Sequence, residues 1–353
     1  MSTFNLSPSI TRFLSRVAIA VGALAIGATT APAAEISPDL IAKAKQEGQV
    51  TYYTDLIVDQ VVRPMTAAFE KKYGIKVSFV RGDSQVNSLK LLNEFKAGRV
   101  MSDVFGLTSG MEVLMDAGAV QQFTAANGND LPSQYRDPNR YWVASHIYVM
   151  EPGFNTSLVP VAQRPKTYDD LLAPYWKDKL AWKMNDMSGG PGFIGNILTS
   201  MGEERGMDYL RKLSTQRIKL VNASARALLD QVIGGEYPMA LQIFNHHAAI
   251  SAEKGAPVDW LRLSPAPVNP GLLGLPKNAP HPNAGLLYIE FMLSPEGQQI
   301  LQKANYLPAR PDVPPLTPDL IPEKGGFAGT VITPEITSKQ MNHWEAVLNQ
   351  LFR

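Results

Sequence analysis

The side chains able to grip a solute gather just after runs of β-forming residues. Thr54 and Asp55 follow Val50-Thr51-Tyr52-Tyr53, Arg81 and Ser84 follow the run from Lys76 to Val80, and Ser109 follows Asp103-Val104-Phe105. Further along, Ser188, Gly189 and Gly190 stand in a Gly-rich stretch, Ser224 and Arg226 follow the run ending at Val221, and Asn245 and His246 close the run ending at Phe244. These residue types suit binding rather than bond-breaking. Glycines admit close approach of backbone N–H groups, and a helix N-terminus favours an anion. The stretch Met187-Ser188-Gly189-Gly190-Pro191-Gly192 is the best such anion candidate, and it also reads as a plain turn with a Ser cap. Ser224 is either a helix cap or a ligand contact. Arg81 and Arg226 either fork a carboxylate or phosphonate or stand in solvent.

His246 and His247 have three readings: metal ligands, hydrogen-bond donors to an anion, or ordinary helix-start residues. Adjacent imidazoles in a strand-to-helix turn rarely reach one metal together, and His146, His281 and His343 lie far off in sequence. No metal ligand set, cofactor or catalytic residue is assigned. The chain has no Cys, five His, and no Gly-x-Ser-x-Gly elbow, His-Glu-x-x-His helix or P-loop. A secreted hydrolase is the minor alternative.

The elements that must position these residues alternate between strand-like and helix-like segments from residue 36 to about 300, an α/β pattern with mostly parallel sheets. Val61, Met65 and Phe69 mark one helix, with Pro64 in its first turn. Val86, Leu89, Leu92 and Phe95 predict the buried face of the next. The run from Trp142 to Met150, interrupted by Glu151-Pro152-Gly153, predicts a strand that leaves one sheet and enters another. A single helix is expected from Pro282 to about Ala304, and a last one over 337–351. Tyr52 and Tyr53 point to opposite faces of their strand and are expected to pack.

In open α/β sheets ligands sit beyond the carboxyl ends of the strands. With about 320 residues outside the leader, one core is insufficient and two lobes are expected. Arg12 and Arg16 precede an apolar run from Val17 to Gly27, and Ala31-Pro32-Ala33 supplies small residues for cleavage, so residues 1–33 read as a signal peptide. Removing those two arginines from 33 basic residues leaves 31 against 32 acidic ones, a balance that argues against nucleic acid or a membrane surface as partner.

Four segments, in order, resemble a known family. Tyr168-Asp169-Asp170-Leu171-Leu172 followed by Pro174-Tyr175-Trp176-Lys177-Asp178-Lys179-Leu180 is similar to a segment of bacterial extracellular solute-binding proteins of the ferric iron, thiamine, 2-aminoethylphosphonate and spermidine type. Gly235-Glu236-Tyr237-Pro238, Leu293-Ser294-Pro295-Glu296-Gly297-Gln298 and Tyr306-Leu307-Pro308-Ala309-Arg310 match the turn, helix and tail of that family. The resemblance implies a type II periplasmic-binding-protein fold: two lobes, each a mostly parallel sheet flanked by helices, joined by a hinge of two crossing strands. It also implies a periplasmic, monomeric component that hands a small-molecule solute to the inner-membrane permease of an ABC importer. Lobe one is expected over 34–150 and 270–320, lobe two over 151–269, and 321–353 as a tail helix packed on them. The hinge is expected near Met150 to Phe154 and Val268 to Leu273.

The family's ferric binders carry adjacent tyrosines where this chain has Phe244-Asn245-His246-His247. Fe³⁺ prefers anionic oxygen over neutral imidazole, so a small organic anion or zwitterion is the first expectation and ferric iron the alternative.

Overall fold

The computed structural model describes residues 36–185 and 187–353. The leader assigned to residues 1–33 lies outside the described residues. Among the described residues, no helix is long and apolar enough to cross a membrane.

The strands as far as Pro276 are β1 (Gln49–Thr54), β2 (Lys76–Arg81), β3 (Val104–Leu107), β4 (Val120–Gln121), β5 (Val143–Asn155), β6 (Leu180–Lys183), β7 (Lys219–Val221), β8 (Met239–Phe244), β9 (Val258–Trp260) and β10 (Ala266–Pro276). Their order is β2-β1-β3-β10-β5-β8-β6-β7. β1 pairs parallel with both β2 and β3, the arrangement that two successive strand–helix units impose. β6 pairs parallel with β7 and β8 in the second sheet. The two sheets meet at β5. Its first half pairs antiparallel with β10, and from Met150 onward it pairs with β8 and then β9, with a register shift between Glu151 and Gly153. Pro152 has no N–H to give to a ladder, so the interruption in sequence marks the change of sheet.

Each sheet carries its own apolar packing. Tyr52, Phe69, Tyr288 and Phe291 sit in one cluster, and Trp176, Trp182, Phe193 and Trp344 in another. Trp344 and Leu348 bring the last helix, Pro334–Phe352, into the second cluster. Tyr52 and Tyr53 both pack in cores.

Two expectations fail, each for a physical reason. Helix Ser84–Lys96 does not bury the face of Val86 and Leu89, which are 60% and 51% exposed. It buries Ser84, Asn87, Ser88, Leu91 and Leu92, the true i, i+3, i+4, i+7, i+8 stripe. Steps of three alone drift around the helix. The rotation is held by polar contacts, since Asn87 Nδ2 donates to Thr54 O at 3.0 Å and Gly82 O at 3.1 Å.

The helix expected from Pro282 to Ala304 is two helices, Pro282–Leu293 and Pro295–Lys303. Ser294 turns the corner: its hydroxyl donates to Phe291 O at 2.6 Å and accepts the Gly297 N–H at 3.2 Å. A Cβ on Gly297 would lie 2.2 Å from Phe291 O, so only glycine lets the chain turn this tightly. Gln298 in the same helix donates to Ser145 O and accepts the Arg310 N–H. Two of the segments that carry the family resemblance are thus hydrogen-bonded to each other.

Candidate functional site

The carboxyl ends of β1, β2, β3, β6 and β8 converge on one cleft. Asp55, Arg81, Ser84, Ser109, Ser188, Ser224, Arg226 and His246 line it with Thr108 and His247, and with residues sequence reasoning did not select: Tyr148, Lys183 and, from the back, His146 and Tyr306.

Asp55 anchors the first wall. One of its oxygens, Oδ2, receives three donors: the Thr108 N–H at 3.0 Å, the Thr108 hydroxyl at 2.8 Å and, at very short range, the Ser84 hydroxyl. Burial nevertheless outweighs those three bonds and raises the carboxyl above its ordinary range. Tyr148 donates its hydroxyl to Thr108 O at 2.6 Å, which fixes the same strand end from β5.

The second wall is cationic. Lys183 Nζ donates to Ser188 Oγ at 3.0 Å. Arg226 is steered by Asp230, 2.6 Å from Nη2, and Nη1 donates to Ser251 Oγ at 3.0 Å. With Arg81, three cations among the described residues line the cleft, together with the carboxylates of Asp55 and Asp83. Helices of nine or more residues start at Ser84, Gly190, Ala225 and Asn245, each with a cleft-lining residue at its N-terminus or just before it. Their aligned peptide dipoles add positive potential to that of the side chains.

The back wall is imidazole and aromatic ring. His246 lies 4.6 Å from Tyr306 and 4.4 Å from His247, centroid to centroid, and His146 lies 5.3 Å from Tyr306. Burial depresses all three imidazoles, His146 to about 4 and His247 to about 3, with Arg226 and Arg81 adding to the effect on His247. They are neutral rings at neutral pH. Among the described residues, no group of three or more His, Asp or Glu is arranged to hold a metal ion.

Four residues expected at the site do not line the cleft. Thr54 is fully buried, its hydroxyl accepting the Leu56 N–H at 3.1 Å, so it shapes the turn after β1. Asn245 points away and donates to Leu320 O at 2.9 Å. Gly189 and Gly190 are required by protein packing: a Cβ on Gly189 would lie 2.4 Å from Lys183 O, and one on Gly190 2.8 Å from the Leu348 side chain. Ser224 both caps its helix, accepting the Ala227 N–H at 3.2 Å, and lines the cleft.

Tyr306 carries no local signal of its role. A short strand, β11 (Leu307–Pro308), pairs with Ile147 and His146 and brings the ring into place from far along the chain. Lys183 ends β6 four residues before the Gly-rich turn, a strand-end position of the kind that located the other cleft residues.

Residues 100–325 match the family described as bacterial extracellular solute-binding protein. An uncharacterized protein of Haemophilus influenzae is 22% identical over 250 residues, 67% of this chain and 71% of that one. Among solved structures, AfuA from Actinobacillus pleuropneumoniae with fructose-6-phosphate bound aligns with a TM-score of 0.72 at 19% identity, covering 86% of this chain and 98% of that one. The Trichodesmium protein IdiA (FutA), in complex with iron and citrate, gives 0.70 at 18% identity over 87% and 100%. Iron-bound HitA from Pseudomonas aeruginosa gives 0.69 at 20% over 84% and 98%. The shared architecture is the two-lobed type II periplasmic-binding-protein fold. Members of this family bind small solutes and work with ABC transporter permeases. By the match over most of its length, this chain belongs to the bacterial extracellular solute-binding protein family.

Proposed function

We propose that this solute-binding protein captures a small organic anion in the periplasm and delivers it to its permease as a monomer. The observation that carries the reading is the convergence of Arg81, Lys183 and Arg226 with four helix N-termini on one cleft. Such a site concentrates positive potential where a ligand's charge would lie. Cations so placed oppose a bare Fe³⁺, and a buried neutral imidazole is a poor ligand for it. The AfuA complex with fructose-6-phosphate supplies a precedent on the same fold for an anionic organic solute.

Capture works by closure. Lobe one, residues 34–150 and 270–320, offers Arg81, Ser84 and Ser109; lobe two, residues 151–269, offers Lys183, Ser188, Ser224 and Arg226. A ligand bridging both sets favours the closed state by its differential affinity for it. The hinge in this reading is Met150 to Phe154 of β5 with Val268 to Leu273 of β10.

The test is a melting-temperature screen of organic anions, zwitterions and ferric iron on the protein without its leader. An organic anion should raise the midpoint in a concentration-dependent way, without colour. Stabilisation by Fe³⁺ alone, with a visible phenolate charge-transfer band from Tyr148 or Tyr306, would replace this reading with the metal one.

A further inference from the structure

The cationic wall explains a charge on the ligand but leaves the imidazole wall without a task. His246 and His247 are 2% and 8% exposed, and both line the cleft. Nδ1 of His246 and both ring nitrogens of His247 are buried without a hydrogen-bond partner. Buried polar atoms in folded proteins are nearly always satisfied, so three such atoms side by side at a binding cleft point to partners carried in by the ligand. Across the cleft, all the donors bonded to Asp55 fall on Oδ2.

We propose that the imidazole wall is a hydroxyl-recognition subsite, and that the solute is a small hydroxylated organic anion whose charge meets Arg81, Lys183 and Arg226 while its hydroxyls meet His246, His247 and Asp55. This deepens the anion reading and rests on it.

The protonation states select hydroxyl over the alternatives. Each ring is neutral, because burial opposes its protonation, reinforced at His247 by the nearby Arg226 and Arg81 and at His246 by the neighbouring imidazoles. A neutral imidazole has one donor and one acceptor nitrogen, which is the complement of a hydroxyl group. An ammonium group could also donate to the acceptor nitrogen and to Asp55. It would then enter the field of the same arginines that help keep His247 neutral, so it is disfavoured. A plain alkyl chain would leave the three nitrogens buried and unpaired, which costs more than the lost bonds alone. Phe244 and Tyr306 lie against the two imidazoles at ring-centroid distances of 4.6 to 6.4 Å and leave the apolar edges of a polyol something to pack on.

The experiment is calorimetric titration of the protein without its leader against matched probes: glycerol 3-phosphate, propyl phosphate and 3-aminopropyl phosphate, with glycerate, propionate and β-alanine as a carboxylate series. In at least one series the hydroxylated member should bind about tenfold or more tighter than the alkyl member, with the ammonium member weakest. His247→Phe keeps an aromatic ring but removes both nitrogens, and should bring the hydroxylated and alkyl affinities together. His247→Gln, which keeps a donor and an acceptor, should preserve part of the preference. Alkyl or ammonium probes binding as tightly as the hydroxylated one overturn the proposal, as does a preference that survives His247→Phe. Should His247→Phe fail to fold, the wild-type series decides alone. If no anion in either series binds, the anion reading itself falls, and this inference with it.

Discussion

Asp55 and Thr108 are bound to each other twice across the ends of neighbouring parallel strands, the Thr108 N–H and hydroxyl both donating to the same carboxylate oxygen at 3.0 and 2.8 Å. The pair fixes the lip of the first lobe before any solute arrives. Thr108→Val removes one of three donors from a buried carboxyl group and should destabilise the fold by about 1–2 kcal/mol. Urea titration measures it, and an unchanged midpoint would show that Ser84 and the backbone suffice.

Arg226 is held toward the cleft by Asp230 and Ser251, which pre-orders its guanidinium fork. Arg226→Lys keeps the charge but loses the fork. It should cost roughly tenfold in affinity for an anion identified by thermal screening, and Arg226→Ala more. If both variants bind as the wild type does, this side chain belongs to the solvated rim.

Gly271 faces His146 so closely that a Cβ would lie 2.1 Å from the ring. Gly271→Ala should therefore displace the imidazole, lowering stability by about 1–3 kcal/mol and weakening solute binding together. Wild-type affinity in a correctly folded Gly271→Ala protein would mean the back wall tolerates movement.

The buried imidazoles make a prediction about acid. His247 is depressed to about 3 in the fold against 6.5 in the unfolded chain, so the unfolded state binds more protons between those values. Its contribution to stability is fully present above 6.5 and is lost as pH falls through that window, by about 2 kcal/mol between pH 6.5 and 5. Glu151, buried and raised well above its usual range, acts in the opposite sense, so the wild-type curve alone is not diagnostic. The comparison is. The melting temperature of His247→Phe should fall less than that of the wild type between pH 7 and 5, and parallel curves would refute the assignment.

The strand and helix order was legible because local patterns dictate it: Gly48 and Gly74 take positive φ where the first two α-helices stop, and the run ending at Phe244 forms a strand, Met239–Phe244. Strand ends then located Asp55, Arg81, Ser84, Ser109, Ser188, Ser224, Arg226 and His246 at the cleft without knowledge of the fold's closure. The rest depended on long-range packing. The orientation of Thr54 and Asn245 follows from partners at Leu56 and Leu320, and the glycines after Ser188 pack against a nearby carbonyl and Leu348. No period or motif announces such contacts.

Tyr306 comes into position through two residues, Leu307 and Pro308, that pair with Ile147 and His146. The ring that lies 4.6 Å from His246 and 5.3 Å from His146 thus owes its seat to a two-residue ladder outside every strand whose end faces the cleft.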